Sequence, residues 1–346
     1  MESTTQSFDF PNVLNATMPP ERRGVRRDHV KLMVLDKKTG ETKHSTFNHL
    51  KQFLQKGDLL VLNSSRTIPA ILKASLWRKG LLLSDQLEVR LAHRQNEQEW
   101  EALLLESNAE MGDVLQFSAL LSAEVAGSSI TNPFNTLHFN LKGAALIEQI
   151  YLLGQPVRYE YIDVPWALDY YQTVFASDPG SVEMPSAGRA FSWELLFDLQ
   201  RTGIQIAYIQ LHTGLSYFMD DKWHQEPFHN YEQYNMPVET AELVRKTKAA
   251  GGRIIAVGTT VVRTLETAID PAGGSVAQAG WTNLYVHDRF PLQIVDGLIT
   301  GFHEPKTSHL QLLTAFVQQD LLMNGYHEAI EMGYYWHEFG DMNLII

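Results

Sequence analysis

The segment Gly251 to Thr260, Gly-Gly-Arg-Ile-Ile-Ala-Val-Gly-Thr-Thr, constrains the fold of this chain more than any other. A helical pattern ends at Ala249-Ala250, and the two glycines supply its stop and a tight return. Arg253 to Val257 then reads as an apolar strand. Gly258 permits close backbone approach, Thr259 or Thr260 can cap the next helix, and Val261 to Ala268 carries helical apolar spacing. A helix start offers unpaired N–H groups to an anion, with Arg263 one turn on as a bidentate partner. A plain capped helix has the same spelling, so both readings stand.

The same α/β texture appears on either side of a different middle. Lys31 to Asp36 predicts a buried strand, Lys37 to Glu41 a turn, and a short helix follows from about His49 through Gln55. Leu59 to Asn63 is a second continuous apolar strand, and it delivers Asn63-Ser64-Ser65-Arg66 to a loop, where ligand sites often form. After Pro165 the pattern predicts a helix at Ser192 to Thr202, a strand at Gln205 to Leu211, a helix at Val238 to Ala250 and the strand at Arg253 to Val257. A helix near Glu266, a strand at Leu284 to Val286 and a helix at Ser308 to Leu321 complete it. From Ile68 to Gly154, short alternating segments (Gln86 to Leu91, Trp100 to Leu105, Val114 to Phe117) precede a single helix at Ala144 to Leu153. The predicted fold is an α/β main domain built from residues 1–67 and 155–346, with an inserted all-β, barrel-like domain at 68–154.

The 346 residues include no cysteine, which excludes disulfides, thiolate nucleophiles and Cys-ligated zinc. A net charge of -12 argues against a protein that coats nucleic acid nonspecifically. A local basic patch remains at Arg22, Arg23, Arg26, Arg27 and Lys31, which a solvated surface loop explains as well. Met1 to Asn15 has neither the positive start nor the apolar stretch of a secretory signal, and no apolar run approaches the roughly 18 residues needed to span a bilayer. A cytoplasmic location is expected.

Among residues suited to proton transfer, His212 follows a strand and precedes Thr213-Gly214, and His303 sits in Gly301-Phe302-His303-Glu304-Pro305-Lys306 ahead of a helix. His224, Glu226, His229 and Glu232 match no HExxH-type spacing, so no metal is expected. Met184-Pro185-Ser186-Ala187-Gly188 is a loop of small residues that lets a ligand near the backbone. Tyr170-Tyr171 and Tyr334-Tyr335-Trp336 offer stacking surfaces that ordinary core packing explains equally.

Taken together, these motifs occur in an order similar to one family. Arg27-Asp28 with Lys31-Leu32, Gly57 to Asn63 with Arg66 and Pro69-Ala70, Tyr171-Gln172-Thr173-Val174, Pro185 to Gly188, Leu211 to Leu215, Val257 to Thr260 with Arg263 to Glu266, Phe302-His303 with Pro305-Lys306, and Phe339-Gly340-Asp341 resemble the S-adenosylmethionine:tRNA ribosyltransferase-isomerases of queuosine biosynthesis. The resemblance runs from about Phe8 to Ile346. It implies transfer and isomerisation of the ribosyl part of S-adenosylmethionine onto 7-aminomethyl-7-deazaguanine in tRNA, giving epoxyqueuosine with adenine and methionine released. It implies His212, Glu232 and His303 as proton-transfer groups. Asn63, Arg66, Tyr171, Ser186, Gly188, Gly214, Gly258, Thr259, Thr260, Arg263, Lys306 and Asp341 would hold substrate, and Arg27 and Lys31 would meet tRNA. S-adenosylmethionine would serve as co-substrate, with no permanently bound cofactor and no metal, in a monomer or weak homo-oligomer.

Several positions depart from the family pattern. Ser64-Ser65 stands where Asp/Asn-Thr is usual, Arg189-Ala190 where Leu-His is usual, Ser216-Tyr217 where Gly-Thr is usual, and Glu304 where Leu is usual. The ending Glu338-Phe339-Gly340-Asp341-Met342-Asn343 replaces Ser-Tyr/Phe-Gly-Asp-Ala-Met. A divergent paralogue with another acceptor, or a homologue that binds ligand or RNA without catalysis, is therefore also compatible with the sequence.

Overall fold

The computed structural model describes residues 8–129, 132–216, 229–305 and 307–346. Its main sheet is made by β1 (Lys31–Leu35), β2 (Thr42–Thr46) and β3 (Leu59–Asn63) before the middle segment, and by later strands after it. Between them come β4 (Ser65–Thr67), then β5 (Ile71–Arg78), β6 (Leu81–Arg94), β7 (Glu99–Leu104), β8 (Val114–Gln116), β9 (Ser122–Ser128), β10 (Phe134–Phe139) and α1 (Gly143–Leu153). The chain then forms β11 (Asp178–Ser181), α2 (Trp193–Arg201), β12 (Gln205–Leu211), β13 (Glu232–Met236), α3 (Val238–Ala249), β14 (Ile254–Val257) and α4 (Thr259–Thr267). It ends with β15 (Gln278–Thr282), β16 (Gly297–Thr300), α5 (Ser308–Leu313), α6 (Gln319–Glu331) and β17 (Met342–Ile345).

Continuous apolar strands are explained by burial on both faces. In β3, Leu59 and Val61 join one core while Leu60 and Leu62 join the other; β14 divides the same way, Ile254 and Ala256 against Ile255 and Val257. Helices α3, α4, α5 and α6 cover the first face, and α2 with the 3₁₀ turn Phe47–Gln52 covers the second. Each fully buried Leu, Ile or Val contributes roughly 1.5–3 kcal/mol, so the sheet is held mainly by these two layers. The strand order is β15-β13-β12-β3-β14-β16-β17-β1-β2, with β12, β3, β14 and β16 mutually parallel.

Strands β5 to β10 close into an antiparallel barrel, filled by Trp100, Phe134, Phe139 and alternating aliphatic residues. Leu146 and Ile150 of α1 plug this core. The chain enters and leaves side by side: Ile71 and Gln155 exchange backbone hydrogen bonds at 2.9 and 2.8 Å. The architecture is the expected α/β layer with a barrel between its two segments.

Five local expectations are corrected. Leu284 to Val286 forms no strand; it is irregular chain whose apolar side chains sink into the core, and the strand lies instead at β15, where Trp281 is exposed and little alternation marks it. The single helix at Ser308 to Leu321 is two, because Thr314 turns back onto Gln311 and sends Phe316 and Val317 inward. The helix through Gln55 is the 3₁₀ turn, ended before Lys56, and the helix near Glu266 is the last turn of α4. Neither Thr259 nor Thr260 caps α4: its N-cap is Gly258, at φ +95°, where a side chain would be strained.

Candidate active site at the carboxyl edge of the sheet

Because β3, β12, β14 and β16 run parallel, their carboxyl ends reach one edge of the sheet, where α/β proteins bind ligands. That edge receives Asn63, His212, Gly258 and, just past β16, His303. Antiparallel β13 begins there with Glu232, and antiparallel β17 places the loop His337 to Asp341 beside it. Most of the candidate residues thus share an edge although they come from distant parts of the chain.

Asn63 ties three strand ends together. Its Oδ1 accepts the amides of Ser65 at 3.0 Å and Leu211 at 3.1 Å, and its Nδ2 donates to the Leu211 carbonyl at 2.9 Å and to Thr260 Oγ1 at 3.3 Å. Gly258 donates to the Ile299 carbonyl at 2.8 Å, and Thr259 and Thr260 are buried in the first turn of α4. Arg263, one turn further, forms an ion pair with Glu232, whose other oxygen accepts the Gly214 amide at 3.3 Å. Gly214 has no room for a side chain: a Cβ would lie 2.0 Å from His93 Nε2 of the barrel.

His212 stands on the barrel side of this edge. Its Nδ1 lies 2.6 Å from Ser65 Oγ and its ring packs on Gly180, where a Cβ would come within 2.8 Å. Burial holds its pKa below the ordinary imidazole value, Asp178 pulling the other way and Arg94 adding to the fall. His303 hydrogen-bonds Thr300 Oγ1 through Nε2 at 2.8 Å and stacks on His309, with centroids 5.2 Å apart and planes 16° from parallel. Burial and the neighbouring imidazoles of His309 and His337 hold it well below the usual range. His309 reaches the surface, yet the groups packed around it hold it at about 4, desolvation first and Arg263 next, with Glu232 opposing. All these imidazoles are neutral at neutral pH, so they can accept protons and do not repel a cationic substrate.

The remaining predicted residues make contacts of their own. Asp341 accepts the amides of Lys31 and Tyr335, each at 2.7 Å, so both carboxylate oxygens hold the turn before β17. Lys31 places its ammonium on the carbonyls of Met332 and Gly333 at the end of α6, and Arg27 pairs with Glu21 at 3.2 Å. Arg66 is exposed over the Tyr151 ring. Tyr171 packs on Phe339 with centroids 5.3 Å apart, its hydroxyl buried without a partner among the described residues and its pKa raised by burial. Ser186 and Gly188 form a 3₁₀ turn, and a Cβ at Gly188 would meet Phe175 at 2.9 Å. Lys306, with Tyr217, His224 and Glu226, lies outside the described residues.

Sequence reasoning missed His309, His337 and Glu338. His309 follows His303 by six positions, a spacing that suits no regular element, and only the turn before α5 stacks the rings. His337 lies against Tyr161, 4.7 Å between centroids, and Glu304 Oε1 at 3.3 Å; burial lowers it to about 4. Glu338 has an Oε2 that is buried without a partner among the described residues, and burial with the Glu183 charge pushes its carboxyl up to about 8 against the opposing Arg189. With Arg27, Ser186, Arg189, Ala190, Gly301 and neighbours it lines a cavity of about 10 Å³.

Fold and edge define the class: an α/β enzyme with a barrel insert, with His212, Glu232 and His303 gathered at the carboxyl ends of parallel strands. A family model described as queuosine biosynthesis protein matches residues 4–345. S-adenosylmethionine:tRNA ribosyltransferase-isomerase of Carboxydothermus hydrogenoformans is 38% identical over 352 aligned residues, which cover 99% of each chain. The protein of that name from Staphylococcus aureus strain Newman is 34% identical over 98% of each. Among solved structures, S-adenosylmethionine tRNA ribosyltransferase of Thermotoga maritima matches with a TM-score of 0.56 at 32% identity, over 98% of this chain and 99% of that one. The chain belongs to the queuosine biosynthesis protein family.

Proposed function

We propose that the protein transfers and isomerises the ribosyl part of S-adenosylmethionine onto 7-aminomethyl-7-deazaguanine in a tRNA, releasing adenine and methionine and leaving epoxyqueuosine. The observation that carries this reading is the gathering of His212, the Glu232–Arg263 pair and the His303–His309 stack at one sheet edge in a member of this family. Protons beside a sulfonium are acidic, and a neutral imidazole suffices to remove one. Arg263 is balanced by Glu232, so a cationic donor meets no net positive charge there. Asn63, Gly258, Thr259 and Thr260 are the proposed contacts to the donor. The chemistry asks for neither a metal nor an enzyme-bound nucleophile. The division into 1–67 with 155–346, and 68–154 as an insert, belongs to the same proposal and is supported by the paired entry and exit at Ile71 and Gln155.

A second reading, a paralogue using S-adenosylmethionine with another acceptor, draws support from Arg189, Ala190 and Glu338. These three departures from the family pattern line the same small cavity. Adenine release separates the readings, measured with and without tRNA carrying the deazaguanine precursor. Release that depends on this tRNA is expected; release indifferent to it favours the paralogue; no release under either condition overturns both.

A further inference from the structure

We propose that Arg22, Arg26 and Tyr335 form the surface on which a single-stranded stretch of RNA docks, an inference that rests on reading the acceptor as tRNA. Within the basic segment noted in the sequence, the cations differ in what holds them and in how far they reach into solvent. Arg27 is engaged by Glu21, and Lys31 by the end of α6. Arg23 donates through Nη2 to the Phe339 carbonyl at 2.8 Å and lies 4.5 Å from the Tyr335 ring centroid, a prop beneath an aromatic face that is 38% exposed. Arg22 is exposed and sits over Trp166 and Tyr170, 5.8 and 5.3 Å from their centroids. Arg26 is 56% exposed, steadied by Asp28 at 3.2 and 3.1 Å, with Glu194 at 3.9 Å.

Guanidinium planes laid on aromatic rings are held in place before binding, and such planes and rings take phosphates and stacked bases together. In a chain of net charge -12, a local cationic and aromatic face selects a polyanion at short range. The face also continues onto the carboxyl edge. Pro20 and Phe339, the neighbours of this segment and of its prop, line the cavity that holds Ser186 and Gly301. RNA lying on Arg22 and Tyr335 thus brings a nucleotide to the edge where His303 stands.

The test is fluorescence anisotropy with a short RNA hairpin bearing a single-stranded loop, at several salt concentrations, alongside adenine release by the same preparations. The Arg22→Ala/Arg26→Ala double variant is expected to bind about tenfold more weakly, its slope of log affinity against log salt smaller by about one for each phosphate no longer neutralised. Tyr335→Ala is expected to lose about tenfold with the slope unchanged. Lys79→Ala, exposed on the β5–β6 hairpin, should bind as the parent does. Parent-like affinity and slope in both surface variants overturns the proposed face while leaving the tRNA reading intact. A parent protein that binds no hairpin at low salt and releases no adenine overturns that reading and the face with it.

Discussion

Removing one member of the Glu232–Arg263 pair should show how the edge is held. The Glu232 side chain is 4% exposed and that of Arg263 16%, so each depends on the other for compensation of a charge taken out of water. Breaking such a pair from one side costs about 3–5 kcal/mol, whereas removing both charges together costs far less. Glu232→Gln keeps an acceptor for the Gly214 amide and should lose about 3 kcal/mol; Glu232→Ala should lose about 1 kcal/mol more through that amide. In the Glu232→Gln/Arg263→Met variant the coupling should be about 2 kcal/mol, read from urea unfolding followed by fluorescence and circular dichroism. The imidazole of His309 supplies a second readout by NMR. Its value of about 4 should rise in Arg263→Met, which removes the lowering charge, and fall further in Glu232→Gln. Additive single losses, or a His309 titration unmoved by either change, would refute the pair as the organiser of this edge.

Gly214→Ala would drive a Cβ into His93, whose ring is fixed by Glu101 and Asn230, so it should lower the unfolding midpoint and weaken the barrel's seat on the sheet, measured by thermal melting. Gly258→Ala should cost about 1–3 kcal/mol because its φ of +95° disfavours any Cβ, which denaturant titration checks. Glu338 binds its proton more tightly folded than unfolded, so stability should fall as pH rises from its ordinary 4.5 towards about 8. Glu338→Gln should flatten that fall, become the more stable form at pH 8, and match the parent in acid, as melting curves across pH would show. Ala190→His should destabilise by about 1–3 kcal/mol, since Ala190 is 5% exposed beside a cavity of about 10 Å³ with no space for an imidazole.

The strand Leu59–Asn63, covered on both faces, was legible because burial writes itself as an unbroken apolar run, and Gln205–Leu211, buried at alternate residues, also begins and ends where the sequence places it. The edge strand β15 carries no such run, whereas the buried irregular stretch at Leu284 to Val286 has the apolar spelling of a strand. The candidate site was legible where a strand ends on a polar residue or a glycine, as at Asn63, His212 and Gly258. It was illegible where tertiary turns bring rings together, as at His309 and His337. The basic segment was legible as charge, but only packing distinguishes Arg22, lying on Trp166, from Lys31, closing α6.

The central claim is that ribosyl carbons leave S-adenosylmethionine and arrive on a base within tRNA. Incubation with donor labelled in those carbons, followed by mass spectrometry of nucleosides digested from precursor-bearing tRNA, tests it most directly. The label should appear in epoxyqueuosine with one adenine released per label incorporated. Adenine release with unlabelled tRNA would contradict the claim.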